Sequence, residues 1–306
     1  MTMTPGPSRI ALTAHALRET MHSLRSSPVF ALFVLITLVY VGLIGLMVGL
    51  MALRLDFLLP GPFARMAHFT EPHHRVHDLT FGFLFLPAVV GILAQLRRPA
   101  KNIAGMLMAL IPWAALMVAA VLSDAFVAVV LSNPSRLAAV LTVFTALLHP
   151  TGRDFLRSFS LARVNWMLLA LVIIAAVPLL VLASTNIGLQ AAVTDDHAAA
   201  GHYGFMAAFG FTVIGVGVLA SLQPDGWRRT AWVAGGLPTL LGVSSLLYAD
   251  ATSGLGLAWA LAAIAWGAGF VAAAELTKDV TKDVTKDADG TTLPSTRGPL
   301  SRSARG

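Results

Sequence analysis

The residues of this chain best suited to chemistry are histidines gathered in two polar breaks. The first reads His68-Phe-Thr-Glu71-Pro-His73-His74-Arg75-Val-His77-Asp78, and the second holds Asp195, Asp196, His197 and His202. Neutral imidazole suits zinc, copper, iron and nickel, and carboxylates complete or orient such sites. If a helix begins near Pro72, His73 and His77 stand at i and i+4 on one face. Glu71 or Asp78 is then close enough to act as a third ligand or as a partner to an imidazole. That makes His73, His77, Glu71 and Asp78 a candidate metal site. A second set joins His74 and His77, at i and i+3, to His197 and His202. Here two histidine-bearing entrances on one face hold a metal ion or sandwich a haem. A plainer reading competes with both: membrane-helix ends accommodate His at the interface, and Asp or Glu there caps a helix N-terminus.

A different chemistry is suggested by Asn133-Pro134-Ser135-Arg136. In a helix counted from Ala125, Arg136 falls about 16 Å along the axis. A charge at such depth costs at least ~2.5–3.5 kcal/mol and normally faces a bundle interior or water. Pro134 removes a backbone hydrogen bond and breaks or kinks the helix. Asn133 and Arg136 would then be intramembrane polar groups of an anion or substrate site in a transporter. The alternative moves the span to about 137–155 and leaves Asn133–Arg136 in an outer loop, but that span must swallow His149 and Arg153.

The elements that must position these groups are membrane helices. Apolar residues make up 57% of 306 positions and charged residues only 12%, whereas soluble domains run near 25% charged. A water-soluble fold could not hide that much apolar surface. The charges gather in short breaks and in both tails, and between them lie runs of about 20 apolar residues, enough for a ~30 Å hydrocarbon layer. The runs are continuous rather than alternating, so the fold class is all-α, not barrel. Eight spans are expected, near 29–53, 79–96, 103–122, 125–149, 166–183, 203–222, 231–248 and 253–274.

Two stretches about 126 residues apart repeat each other. Val90-Gly91-Ile92-Leu93-Ala94-Gln95-Leu96 matches Val216-Gly217-Val218-Leu219-Ala220-Ser221-Leu222, Pro112 falls on Pro238, and Asp124 on Asp250. The expected architecture is therefore two tandem parallel four-helix repeats, 29–149 and 165–275, joined by a cytoplasmic linker at 150–164. An even span count per copy gives both copies the same orientation, with their axis along the membrane normal. The paired prolines read as shared kinks and the paired aspartates as turn residues.

Lys and Arg fall in alternate breaks, apart from a mixed first loop with Arg54, Arg65 and Arg75. Arg97, Arg98 and Lys101 occupy the second, Arg153, Arg157 and Arg163 the fourth, and Arg228 and Arg229 the sixth. The third, fifth and seventh hold no Lys or Arg and carry Asp124, then Asp195 and Asp196, then Asp250. This pattern predicts a multi-pass cell-membrane protein with both termini cytoplasmic and the histidine breaks outside. Within residues 1–28, Ile10, Ala14, Leu17, Met21 and Leu24 share a helical face flanked by His15, Arg18, His22 and Arg25, a pattern for a surface amphipathic helix. No cleavage pattern follows, so no signal peptide is expected. Residues 276–306, with Thr-Lys-Asp repeats and then Gly/Ser/Pro-rich sequence, read as a disordered tail whose first part can extend the last helix by a few turns.

Glu71-x-x-His74-Arg75 opening a second helix, within a four-plus-four chain, resembles haem A synthase. The resemblance covers those residues and the span count, and implies haem held by histidines on the outer side. That family also places a histidine in the fourth span of each half towards the same side. Here the fourth span ends in His149 at the opposite side, the eighth has none, and the second half lacks a His-Arg pair.

The chain has no cysteine, which excludes disulfides, Cys-ligated zinc, iron–sulfur clusters and covalent c-type haem. It carries no P-loop, dinucleotide fingerprint, G-x-S-x-G or HExxH. Nucleotide-driven transport and common hydrolase chemistry are thus unsupported, which argues against an enzyme. The net charge of +6 lies beside membrane spans and is explained by orientation, not nucleic acid. The expected partners are the lipid bilayer and a small-molecule or ion ligand. Three functions compete: a protein binding a metal ion or haem through its outer histidines, a small-solute or ion transporter using Arg136, and a non-catalytic membrane scaffold.

Overall fold

The computed structural model describes residues 27–52, 75–96, 99–131, 136–152, 155, 159, 163–251 and 253–290. The expected surface helix of the N-terminal tail lies outside them, as do Glu71, His73, His74 and Asn133. The described chain is all-helical. In order it comprises α1 (Pro28–Ala52), α2 (Arg75–Gln95), α3 (Ile103–Leu122), α4 (Arg136–Leu147), α5 (Trp166–Ala192), the single turn α6 (Asp196–Ala199), α7 (His202–Ser221), α8 (Trp227–Leu247) and α9 (Leu257–Gly290). Six of these, α2, α3, α5, α7, α8 and the Leu257–Thr277 part of α9, are long and apolar enough to cross a membrane. This length and composition are consistent with a multi-pass membrane protein.

Most boundaries follow from the apolar runs, and three differ instructively from expectation. Within the expected fourth span, 125–149, a π-helical turn occupies Val127–Leu131, and the described part of α4 is Arg136–Leu147. At 12 residues, α4 is about 18 Å long. In contrast, α5 outruns its expected end at 183 because its polar residues are satisfied inside the helix. Ser184 Oγ donates to the Val181 carbonyl at 3.0 Å and Asn186 Nδ2 to that of Leu182 at 2.8 Å. Finally, α9 begins four residues late, after Gly254 and Gly256, and runs through the Thr-Lys-Asp repeats to Gly290.

Four helices form the centre. α2, α3, α7 and α8 pack on one another; α1 and α4 flank the first pair, and α5 and α9 flank the second. Burial follows this order: 78% of the α7 span is buried but only 22% of the α5 span. The outer helices show bare aliphatic faces, such as Ile173, Ile174 and Val177 on α5. Those faces suit lipid tails, against which burial in protein brings no hydrophobic gain. Close approach between central helices depends on glycine. A Cβ on Gly91 of α2 would strike the Gly105 carbonyl of α3, and one on Gly267 of α9 would strike that of Gly235 on α8. Asp124, closing α3, takes φ 50°. That left-handed turn conformation, which Asp tolerates, fits the turn role expected of it.

Candidate functional site

Three of the four histidines proposed as cofactor ligands come together. His77 sits in the first turn of α2, His202 opens α7, and His197 lies on α6 just before it. The ring centres of His77 and His197 are 5.1 Å apart, those of His77 and His202 5.8 Å, and those of His197 and His202 5.7 Å. His77 is 3% exposed. The convergence follows from topology, because α2 and α7 start at the same end of the bundle and pack side by side.

The second entrance is folded over this junction by a set of local bonds. Asp195 caps α6, its Oδ1 accepting from the Ala198 amide at 2.8 Å, while its Oδ2 accepts from Tyr203 Oη at 2.9 Å. Its carboxyl is held below the usual carboxylate range, chiefly by the Ala198 N–H, with Tyr203 and His197 assisting. Asp195 is therefore an anion at neutral pH, with His197 Nδ1 3.9 Å from Oδ2. Gln190, near the end of α5, ties this corner down. Its Nε2 donates to the Ala198 carbonyl at 2.7 Å, and its Oε1 accepts from the Gly204 amide of the first α7 turn at 3.0 Å. Gly201 turns the chain at φ 77°, backed by the Ala128 carbonyl of the π-helical turn. From the α8–α9 connection, Ser253 Oγ bonds His77 Nε2 at 2.5 Å.

Tyr203 completes the cluster, stacked on His197 with ring centres 5.8 Å apart. Beneath lies an aromatic floor in which Phe81 contacts Phe85 and Phe205 at 4.7 Å each, and Phe85 contacts Trp113 at 5.3 Å. Asp78, one residue after His77, buries one carboxylate oxygen without a hydrogen-bond partner among the described residues. As the side chains stand, no three His, Asp or Glu groups among the described residues present ligand atoms to one point.

Of the other proposed residues that are described, Asp78 follows His77 in α2, and Arg136 is exposed in the described part of α4.

A second polar cluster, not anticipated from the sequence, occupies the opposite end of the bundle. His149 is 5% exposed and packs between the rings of Phe33 and Phe155. Its Nδ1 accepts from the Thr151 amide at 3.2 Å, so the ring proton belongs on Nε2, which lies 3.0 Å from Gln95 Oε1. Gln95 Nε2 in turn donates to the Gly91 carbonyl at 2.9 Å and the Asn102 carbonyl at 3.2 Å. Asn102 Nδ2 donates to the Ala94 carbonyl at 3.1 Å, and its Oδ1 accepts from Arg229 Nη1 at 2.8 Å. Four segments, the ends of α2 and α4 and the starts of α3 and α8, are thereby linked. The imidazole is pushed down to about 4 by burial, against a weaker opposing contribution from the Pro99 backbone. The one signal in the sequence was Gln95, Asn102 and His149 standing uncharged at the ends of apolar runs.

Comparison of the chain with protein-family models, with curated proteins and with solved structures finds no match to any of them.

Proposed function

We propose that this multi-pass membrane protein binds a divalent transition-metal ion at the outer mouth of its central helices, through His77, His197 and His202. The observation that carries the reading is the size of the imidazole triangle. A tetrahedral ion 2.0–2.1 Å from an imidazole nitrogen lies about 3.2 Å from the ring centre, so three ligating rings stand roughly 5.2 Å apart. The observed sides are 5.1, 5.7 and 5.8 Å. The spacing suits a shared ion, and rotation about side-chain torsions must bring the nitrogens inward. Terminal ring torsions are broad, so such a rotation costs little. His77 would exchange its Ser253 bond for the ion. Asp195 and Tyr203 would orient His197, the role that carboxylate partners of ligating imidazoles usually take. Rings already in mutual contact leave no gap for a porphyrin plane, which favours an ion over haem.

The same reading keeps eight spans in two parallel four-helix units with both termini inside. It is supported by the flanking of one central pair by α1 and α4 and of the other by α5 and α9. A second support is the pair of bonds from Gln95 to the Gly91 carbonyl and from Ser221 to the Gly217 carbonyl, which occupy matching positions. The Lys/Arg alternation sets the direction.

The test is metal content and affinity of detergent-purified protein, stripped with chelator and titrated with Zn(II) and Co(II). One ion per chain is expected, with a tetrahedral Co(II) spectrum. His77→Ala and His202→Ala should each weaken binding at least about 100-fold, since loss of an outer-shell partner alone costs 10–100-fold. Absence of stoichiometric binding by the wild type, or unchanged affinity in both variants, would sink the reading.

A further inference from the structure

At the end of the bundle opposite the histidines, the starts of α3 and α8 meet around a cavity of about 450 Å³ lined by Asn102, Gly226, Trp227, Arg228, Arg229 and Trp232. We infer that this cavity binds a phosphate-bearing anion, with Arg228 and Arg229 as its ligating side chains and the two tryptophans as its walls.

Charge is the first argument. Two guanidiniums line the cavity, and two helix N-termini converge on it. Neither start has a side-chain cap: the cap positions are Asn102 and Gly226, and no side chain accepts from the first turn of either helix. Asn102 is diverted from capping because both ends of its amide are engaged elsewhere, with the Ala94 carbonyl and with Arg229. The dipoles of both helices favour an anion at their starts, where the Ala104 amide donates to the Asp225 carbonyl and the Trp227 amide to that of Pro224, each at 2.9 Å. Lys101, exposed beside α3, adds to the field. The nearest acids are already matched, Asp225 to Arg163 at 3.1 Å and Glu275 to Arg228 at 2.7 Å.

Donor chemistry is the second argument. A guanidinium has five N–H donors in a fork that fits phosphate oxygens. Arg229 gives Nη1 to Asn102 at 2.8 Å, which fixes the side chain and leaves further donors of the fork for a ligand. Arg228 is bound through Nη2 to both oxygens of Glu275, at 2.9 and 2.7 Å, and Trp232 Nε1 donates to the same carboxylate at 2.9 Å. Glu275 thus occupies the place that a phosphate would take on Arg228 and acts as its internal competitor.

Level is the third argument. Trp232 is 57% exposed, and indoles concentrate where membrane helices meet lipid headgroups. Basic pockets between helices at that depth suit anionic headgroups. The same chemistry would accept a free phosphomonoester from solution, so the source is left to experiment.

Full-length protein in a neutral maltoside detergent would be titrated with phosphatidylglycerol, phosphatidylcholine and free glycerol phosphate, reading thermal stability and, by native mass spectrometry, bound adducts. A shift with phosphatidylglycerol alone identifies a lipid headgroup, and a shift with glycerol phosphate alone identifies a soluble anion. A shift with both identifies the phosphate group itself as the element recognised. In every such case Arg229→Gln should weaken the response about tenfold, as loss of a charged donor does. Because Arg229→Gln also removes the bond to Asn102, Glu275→Gln provides the complementary reading. Relieving Arg228 of its carboxylate should tighten anion binding several-fold. No response of the wild type to either anion, or a Glu275→Gln protein that binds no more tightly than wild type, would overturn the inference.

Discussion

The two ends of the central bundle each bury histidine, and they use it in opposite ways. At the end that the proposed topology makes the inner one, a single imidazole, His149, has both ring nitrogens engaged, by Thr151 and by Gln95, inside a network that runs on through Asn102 to Arg229. At the end it makes the outer one, three imidazoles crowd within 5.1–5.8 Å of one another. The first arrangement satisfies a buried polar group and ties helices together, as structural hydrogen bonds do. The second concentrates like ligands, which benefits packing little and metal coordination greatly. Histidine content therefore does not identify a site; the partners of each ring do.

The largest expected effect tests the inner end. Gln95→Leu deletes the acceptor for His149, leaving its buried Nε2–H without that partner, and removes the side-chain donor to the Gly91 and Asn102 carbonyls, of which that of Asn102 keeps the Met106 amide. The orphaned donor costs roughly 1–3 kcal/mol and each lost bond to a carbonyl about 0.5–1.5 kcal/mol, so the loss in unfolding stability in detergent should be about 3 kcal/mol. Metal affinity at the outer end should stay within about twofold, because sites without shared partners add independently. A Gln95→Leu protein as stable as wild type would break the contrast, since the inner cluster would then hold nothing together.

A smaller effect should appear in the pH dependence. His149 titrates near 4 in the folded protein, against an ordinary value of 6.5. Its folded value is lowered, so the unfolded chain binds the proton first as pH falls. The stability is complete above about 6.5, declines between 6.5 and 4, and levels off below that. With allowance for water reaching the partly covered ring, the decline should be about 2 kcal/mol. His149→Gln keeps one donor and one acceptor and should flatten this part of the profile. An unchanged slope in His149→Gln would assign the titration to the outer histidines and remove the distinction between the ends.

How much of this was legible beforehand differs between levels. Continuous apolar runs betray helices, so α3 falls on its expected range, 103–122, and the outer histidine breaks are visible as candidates. What the sequence does not carry is which approach the helices make. Ser253 and Gln190 contact the cluster only because α5 ends, and the α8–α9 connection passes, beside the starts of α2 and α7, and no local pattern encodes that. Tyr203 is a similar case: it reads as one more apolar residue of α7 until its hydroxyl is seen on Asp195.

The smallest effect probes the one contact that the two ends have in common, a hydrogen bond from a ring nitrogen to an uncharged side chain. His149 uses such a bond, to Gln95, as part of a satisfied network. His77 uses one to Ser253, which under the metal-binding reading holds Nε2 away from the ion. Ser253→Ala should accordingly tighten metal binding by about two- to tenfold, the net worth of one neutral hydrogen bond being about 0.5–1.5 kcal/mol. Stability should fall only slightly, since Ser253 is half-buried and its loss opens no large cavity. Isothermal titration of Zn(II) into wild type and Ser253→Ala measures the difference directly. Weaker binding in the variant would mean that Ser253 orients His77 as a partner instead of competing for it, and the outer end would then resemble the inner one more closely than their geometry suggests.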